Sequence, residues 1–110
     1  MLYYNDTMIA THHPYQLIQH IPQGKVTTYG ILARVSGVKN PRVIGAMLHK
    51  NPDPKTIPCH RVVNWQGKVS KNYAFGKARA QIKKLQQEGV KVVKGRVDLK
   101  KYSLQTINRI

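Results

Sequence analysis

Apolar residues recur at helical spacing in four places along the chain. Leu17, Ile18 and Ile21 share one side of a segment starting at Pro14, which predicts a short helix to His20 that Pro22-Gln23-Gly24 breaks. Ile31, Leu32 and Val35 give the apolar face of a second helix over Tyr29–Ser36, with Thr28 as N-cap and Gly37 past its end. The third helix has Asn40 as cap and Pro41 at its first position, where a missing N–H costs nothing. Val43, Ile44, Met47 and Leu48 read as its core stripe. Arg42, Gly45, Ala46 and His49, at i, i+3, i+4 and i+7, form a small, basic opposite face. Such a face suits close approach to a partner, and it equally suits tight packing on another helix. The fourth helix fits Lys77–Gln87, with Ala78, Ile82 and Leu85 inward and Gly89 closing it.

Alternation predicts the strands. Val62-Val63 and Lys68-Val69 fit a hairpin across Asn64-Trp65-Gln66-Gly67, and Val90–Val97 fits a terminal hairpin turning at Lys94-Gly95. Lys100–Leu104 is expected to pack behind it. Helices two and three, joined by Gly37-Val38-Lys39-Asn40, make a helix-turn-helix candidate, and the first hairpin would be its wing. The expected fold is mainly α with short β hairpins, a winged helix-turn-helix DNA-binding domain. Residues 1–13 are expected to be an N-terminal extension and 14–110 the folded domain.

Charge narrows the partner. The 110 residues include 19 Lys plus Arg against 4 Asp plus Glu, a formal net charge of +15. Folding does not require that excess, and it draws the chain to polyanions, nucleic acid first and anionic membranes second. No apolar run approaches the roughly 20 residues that span a bilayer, and residues 1–13 lack the pattern of a signal peptide. One cysteine forms no internal disulfide, consistent with a reducing compartment, cytoplasmic or nuclear. His12-His13 lacks companion ligands for a metal, and Trp65 fits a wing tip, a core position or a base-stacking role equally.

The candidate chemistry gathers around Cys59. A lone cysteine is commonly a small buried hydrophobe. Here His60 follows it, Arg61 adds positive charge and Pro58 stiffens the approach, and such neighbours favour a reactive thiolate. A histidine base gains from a carboxylate that orients it. Asp6, Asp53, Glu88 and Asp98 are the only carboxylates, and spacing alone brings none of them to His60.

The heptapeptide Ile57-Pro58-Cys59-His60-Arg61-Val62-Val63 resembles the active-site signature of the O6-alkylguanine-DNA alkyltransferases, the methylated-DNA–protein-cysteine methyltransferases. Ile21-Pro22-Gln23-Gly24-Lys25-Val26 with Thr28-Tyr29 resembles that family's approach to its helix-turn-helix. Arg42-Val43-Ile44-Gly45-Ala46-Met47 resembles its recognition helix. Lys50-Asn51-Pro52 stands at its hinge asparagine and Glu88-Gly89 at its helix-ending pair. The resemblance covers roughly residues 14–104 in order and spacing.

The resemblance implies a DNA repair protein that flips O6-alkylguanine out of a duplex and transfers the alkyl group irreversibly to Cys59, acting once as a monomer without cofactor or metal. Cys59, His60, Glu88 and Tyr29 would be catalytic. Arg42, Gly45, Ala46, Tyr29, Asn51 and Arg61 would meet DNA, with Arg42 filling the stack from the minor groove. Two positions depart from the family: its pocket-loop serine is Ala74, and its helical lysine contact to the base is Gln81. The stretch from Glu88 to Tyr102 resembles the alkyltransferase-like proteins, single-domain relatives that bind alkylated DNA without repairing it and lack the acceptor cysteine. The alternative is therefore a damage sensor that recruits a partner from another repair pathway. A non-specific DNA-coating protein would leave Pro58-Cys59-His60-Arg61 unexplained.

Overall fold

The computed structural model describes residues 13–104; the rest of the expected N-terminal extension, with His12, lies outside them. Helix α1 spans Pro14–Gln19. His13 caps it, its side chain accepting from the Tyr15 N–H while Gln16 reaches back to the His13 N–H. This capping box gives His13 a structural task. Strand β1 (Thr27–Thr28) leads directly into α2 (Tyr29–Ser36), where the Thr28 hydroxyl accepts from the Ile31 N–H and Gly37 ends the helix at φ 79°. Only a residue without Cβ takes that left-handed conformation at little cost. Helix α3 (Pro41–His49) begins with Asn40 accepting from the Arg42 N–H, a cap that contributes about 1 kcal/mol.

A 3₁₀ turn at Cys59–Arg61 runs into β2 (Val62–Val63). Then come α4 (Lys77–Gln87), strands β3 (Val92–Val93) and β4 (Arg96–Val97), and a short helix α5 (Leu99–Tyr102). The fold is mainly helical with short strands, and every expected helix is present. Lys94 and Gly95, both at positive φ, make the turn of the β3–β4 hairpin.

The first expected hairpin forms differently. Val62-Val63 pairs in parallel with Thr27-Thr28, not with Lys68-Val69. Lys68 instead bridges Arg96, and the Val69 N–H donates to the Gly95 carbonyl. Asn64 closes the intervening turn: its side-chain oxygen accepts from the Gln66 and Lys68 N–H groups. Gly67 is required there, because a Cβ would sit 2.2 Å from the Val97 carbonyl oxygen. The wing is thus a turn laid on the C-terminal hairpin, with Trp65 exposed at its tip.

Two apolar clusters meet at β2. Val62 belongs to the one formed by α1, α2 and α3, with Leu17, Ile18, Leu32, Ile44 and Leu48. Val63 belongs to the other, with Val26, Leu85, Val90 and Val97. Strand alternation sends neighbouring side chains to opposite sides, so this short strand is the seam of the molecule, and the 3₁₀ turn carrying Cys59 is fixed to it. Two helices bury less than their patterns suggested. On α3 only Ile44 and Leu48 are buried; Val43 is 46% exposed and Met47 only partly covered. On α4 the fully buried positions are Gln81 and Leu85, while Ala78 and Ile82 are half-buried.

Candidate active site

Cys59 lies against a cleft of about 690 Å³, lined also by Tyr29, Gly45, His49, Ser70, Tyr73 and Ala74. That volume falls in the range of small-molecule pockets and accommodates a nucleobase. The cysteine is 3% exposed. Its backbone is pinned by the Cys59 N–H donating to the Ile57 carbonyl at 2.7 Å and the Arg61 N–H donating to the Pro58 carbonyl at 3.0 Å. Asn51 closes the preceding loop. Its amide donates to the Ile57 carbonyl at 2.8 Å and its oxygen accepts from the Asp53 N–H at 2.9 Å. Burial pushes the Cys59 thiol up, with Asn51, Tyr73 and the charge of Lys84 pulling the other way. The resting sulfur is therefore a thiol that needs a base.

That base is adjacent. His60 is buried, and its Nε2 lies 3.0 Å from Glu88 Oε2, bringing together residues 28 positions apart that spacing alone left separate. The contact is at ion-pair distance but off the hydrogen-bond direction, so neither ring nitrogen has an aligned partner among the described residues. Burial lowers the His60 pKa, with Arg61 and Lys84 acting in the same sense and Glu88 opposing. A neutral imidazole on the residue after a protonated thiol supplies the group types that general-base activation needs.

Burial tends to raise the Glu88 pKa, but Arg61 and His60 outweigh it and hold the carboxyl below its ordinary range. Arg61 grips both carboxylate oxygens, Nε to Oε1 at 2.9 Å and Nη2 to Oε2 at 2.6 Å. Its Nη1 donates to the Ile21 carbonyl at 2.7 Å. Such bidentate pairs are among the stronger polar contacts. Of the residues expected to meet DNA, Asn51 is buried and Arg61 largely so, and both have polar atoms engaged in holding the cysteine turn.

The expected DNA face stands apart from this interior. Arg42, Ala46 and His49 are exposed and Gly45 half-exposed, on the side of α3 away from Ile44 and Leu48. A Cβ added to Gly45 would meet nothing within 4 Å. Packing within the chain therefore does not require a small residue there, which removes the helix-packing reading of this stripe. Gly45 and His49 also line the Cys59 cleft, so the face and the cleft are continuous. Tyr29, at the start of α2, lines it too. Burial raises its pKa, partly offset by a hydrogen bond with Ser70, so it keeps its proton near neutrality.

Sequence reasoning placed Gln81 in the base pocket but not its structural bonds, and it missed Lys84. Gln81 is 1% exposed and lines the cleft, yet its polar atoms are committed elsewhere. It accepts from the Ser70 N–H at 2.8 Å and donates to the carbonyls of His60 at 3.1 Å and Val62 at 2.9 Å. Lys84, one turn further along α4, donates to the Tyr73 hydroxyl at 2.9 Å. The i, i+3 spacing of Gln81 and Lys84 was the available signal, since it puts both on one helix face.

Several known proteins are similar to this chain. A "Bifunctional methyltransferase/endonuclease" of Picrophilus torridus is 42% identical over 89 residues, 80% of this chain and 29% of that protein. This chain therefore spans under a third of that relative's length. The Escherichia coli "DNA base-flipping protein" is 38% identical over 80% of this chain and 68% of its own length. Among solved structures, S. pombe Atl1 in complex with damaged DNA containing O6-carboxymethylguanine superposes with a TM-score of 0.74 at 30% identity, covering 93% of this chain and 99% of that one. The O6-methylguanine-DNA methyltransferase of Pyrococcus kodakaraensis gives 0.59 at 32% identity over 70% of this chain and 44% of its own. With residues 10–90 matching the family described as "6-O-methylguanine DNA methyltransferase, DNA binding domain", the chain belongs to that family.

Proposed function

We propose that this protein flips O6-alkylguanine out of duplex DNA and transfers the alkyl group to Cys59, once per molecule. The observation that carries the reading is the buried Cys59 at a base-sized cleft, followed in the chain by His60, whose Nε2 lies 3.0 Å from Glu88. Arg42 enters the duplex, Gly45 and Ala46 let α3 approach the backbone, and the extruded base occupies the cleft. His60 takes the thiol proton, directly or through water, and Glu88 stabilises the imidazolium. The sulfur attacks the alkyl carbon, an S–C bond forms, and the C–O6 bond breaks with its electron pair passing to the guanine. Tyr29 supplies the proton that completes the leaving base. The thioether offers no return path, so the chain is consumed. Residues 14–110 carry both binding and chemistry in this reading, and the protein acts as a monomer in the cytoplasm or nucleus.

The test is lesion loss from an O6-methylguanine duplex in excess over protein. Repair should stop at one lesion per chain. The sensor reading draws support from the full-length likeness to S. pombe Atl1. Unchanged lesion in a duplex that is bound and flipped would favour the sensor, and an added repair partner would then be the thing to seek.

A further inference from the structure

Cys59 has a second set of neighbours, separate from His60 and Glu88. Tyr73 is buried in the loop before α4 and adjoins the Cys59 side chain. Behind it the Lys84 ammonium donates to the Tyr73 hydroxyl at 2.9 Å and stands over two aromatic rings, 5.2 Å from the centre of Tyr73 and 5.7 Å from that of Phe75. The two rings meet edge to face with centroids 5.7 Å apart. The lysine is thus fixed by one hydrogen bond and two ring faces, and it is part-buried, where charges are screened less than at the surface.

We propose that Lys84, acting through the Tyr73 hydroxyl, eases ionisation of the buried Cys59 thiol and is a positioning residue for the nucleophile. This rests on the proposed alkyl transfer. The Tyr73 oxygen accepts from Lys84, so its own hydrogen is left to donate to sulfur. A cation on the acceptor side of a hydroxyl polarises its O–H bond and makes it a better donor. The direction is consistent: burial and the neighbouring Cys59 both push Tyr73 upward, so the phenol keeps its proton and donates it. Asn51, the other polar neighbour of the sulfur, is neutral. Tyr29 faces the same sulfur from α2 and stays protonated. His60 is neutral at rest, and Arg61 is neutralised by Glu88. Lys77 and His49 also line the cleft, but among the described residues Lys84 is the cation whose charge lowers the Cys59 thiol pKa. Gln81, committed to three backbone groups, brings none.

The experiment needs no DNA. Iodoacetamide forms an S–C bond with Cys59 and releases iodide, and with one cysteine in the chain the mass change reports that sulfur alone. Its rate is followed from pH 6 to 10 for wild type, Lys84→Met, Lys84→Arg, Tyr73→Phe and the Tyr73→Phe/Lys84→Met pair. Lys84→Met should raise the midpoint of the profile by about one pH unit, the lower end of what a nearby opposite charge produces. Lys84→Arg should restore most of it. In the Tyr73→Phe background, Lys84→Met should shift the midpoint less, because the relay is already cut. Superimposable profiles for wild type and Lys84→Met overturn the inference. An equal shift with and without Tyr73 overturns the relay. If Lys84→Met does not fold, Lys84→Gln, which keeps a donor and loses the charge, is read in its place. A shifted profile in a protein that never takes a methyl group from DNA upholds this inference and refutes the transfer function. Unshifted profiles in a protein that does take it refute only the inference.

Discussion

The exposed side of α3 and the turn at Cys59–Arg61 border one cleft but are built in opposite ways. On α3, Arg42 and Ala46 face outward, and Gly45 has open space where a side chain would be. Nothing in the fold needs these residues to be what they are. At the cysteine turn, Arg61 and Glu88 grip each other, while Asn51, Arg61 and Gln81 donate to the backbone carbonyls of Ile57, Ile21 and His60. A surface that recognises a partner can be loosely held, since the partner completes it. A site that moves a proton must be set within a fraction of an ångström before the partner arrives. Substitutions on α3 should therefore alter function without altering stability, and substitutions in the turn should alter both.

Cys59→Ser gives the largest effect expected. Methyl transfer should vanish while affinity for O6-methylguanine duplex stays within about twofold, because sulfur makes no phosphate contact. Binding titrations alongside a transfer assay decide this. Loss of both together would merge the two regions that the comparison separates.

Glu88→Gln comes next. Gln keeps the size and loses the charge that grips Arg61 and faces His60. Single-turnover transfer should slow by about 10- to 100-fold, and urea unfolding should show a loss of about 1–3 kcal/mol from the broken bidentate pair. An unchanged rate would remove Glu88 from the mechanism.

How the two regions could be read from sequence differs in the same way. Local signals gave α3: Asn40 and Pro41 mark its start, and the Arg42–His49 stripe faces out as its spacing implied. They failed on Val43 and Met47, because whether a neighbouring element covers the edge of a helix is decided by tertiary packing. The turn was legible only as a motif. Its partners come from afar: Glu88 reaches Arg61 across 27 positions and Ile21 meets it across 40. The parallel pairing of β2 with β1, which no alternation pattern reveals, fixes that arrangement. The Arg61–Glu88 pair in particular joins residues that no local pattern connects.

Arg42→Ala sharpens the other side. Stability should stay within about 0.5 kcal/mol, as for surface residues without partners. Fluorescence of a base analogue at the lesion, which reports flipping, should fall about tenfold. The slope of log affinity against log salt should change by at most about one contact. An unchanged flipping signal would remove Arg42 from the stack.

The smallest effect is one of pH. His60 is held below its ordinary value of about 6.5 and Glu88 below its ordinary range. In both cases the unfolded chain binds protons more readily than the folded one, so stability falls as the solution is acidified. The His60 part starts to go below about pH 6.5 and is spent once pH passes its lowered folded value. The Glu88 part is intact above its unfolded value of about 4.3 and is lost as pH falls through its lowered folded value. Urea midpoints at pH 8, 6, 5 and 4 should trace this decline. Arg42→Ala should follow the wild-type curve, and Glu88→Gln should flatten its lower limb.

Peptide mass mapping after incubation with O6-methylguanine duplex reads alkyl transfer to Cys59 itself. One methyl group per chain is expected, carried on the peptide containing Cys59 and on its sulfur. Unmodified Cys59 after prolonged incubation of folded, DNA-bound protein with excess duplex would contradict it.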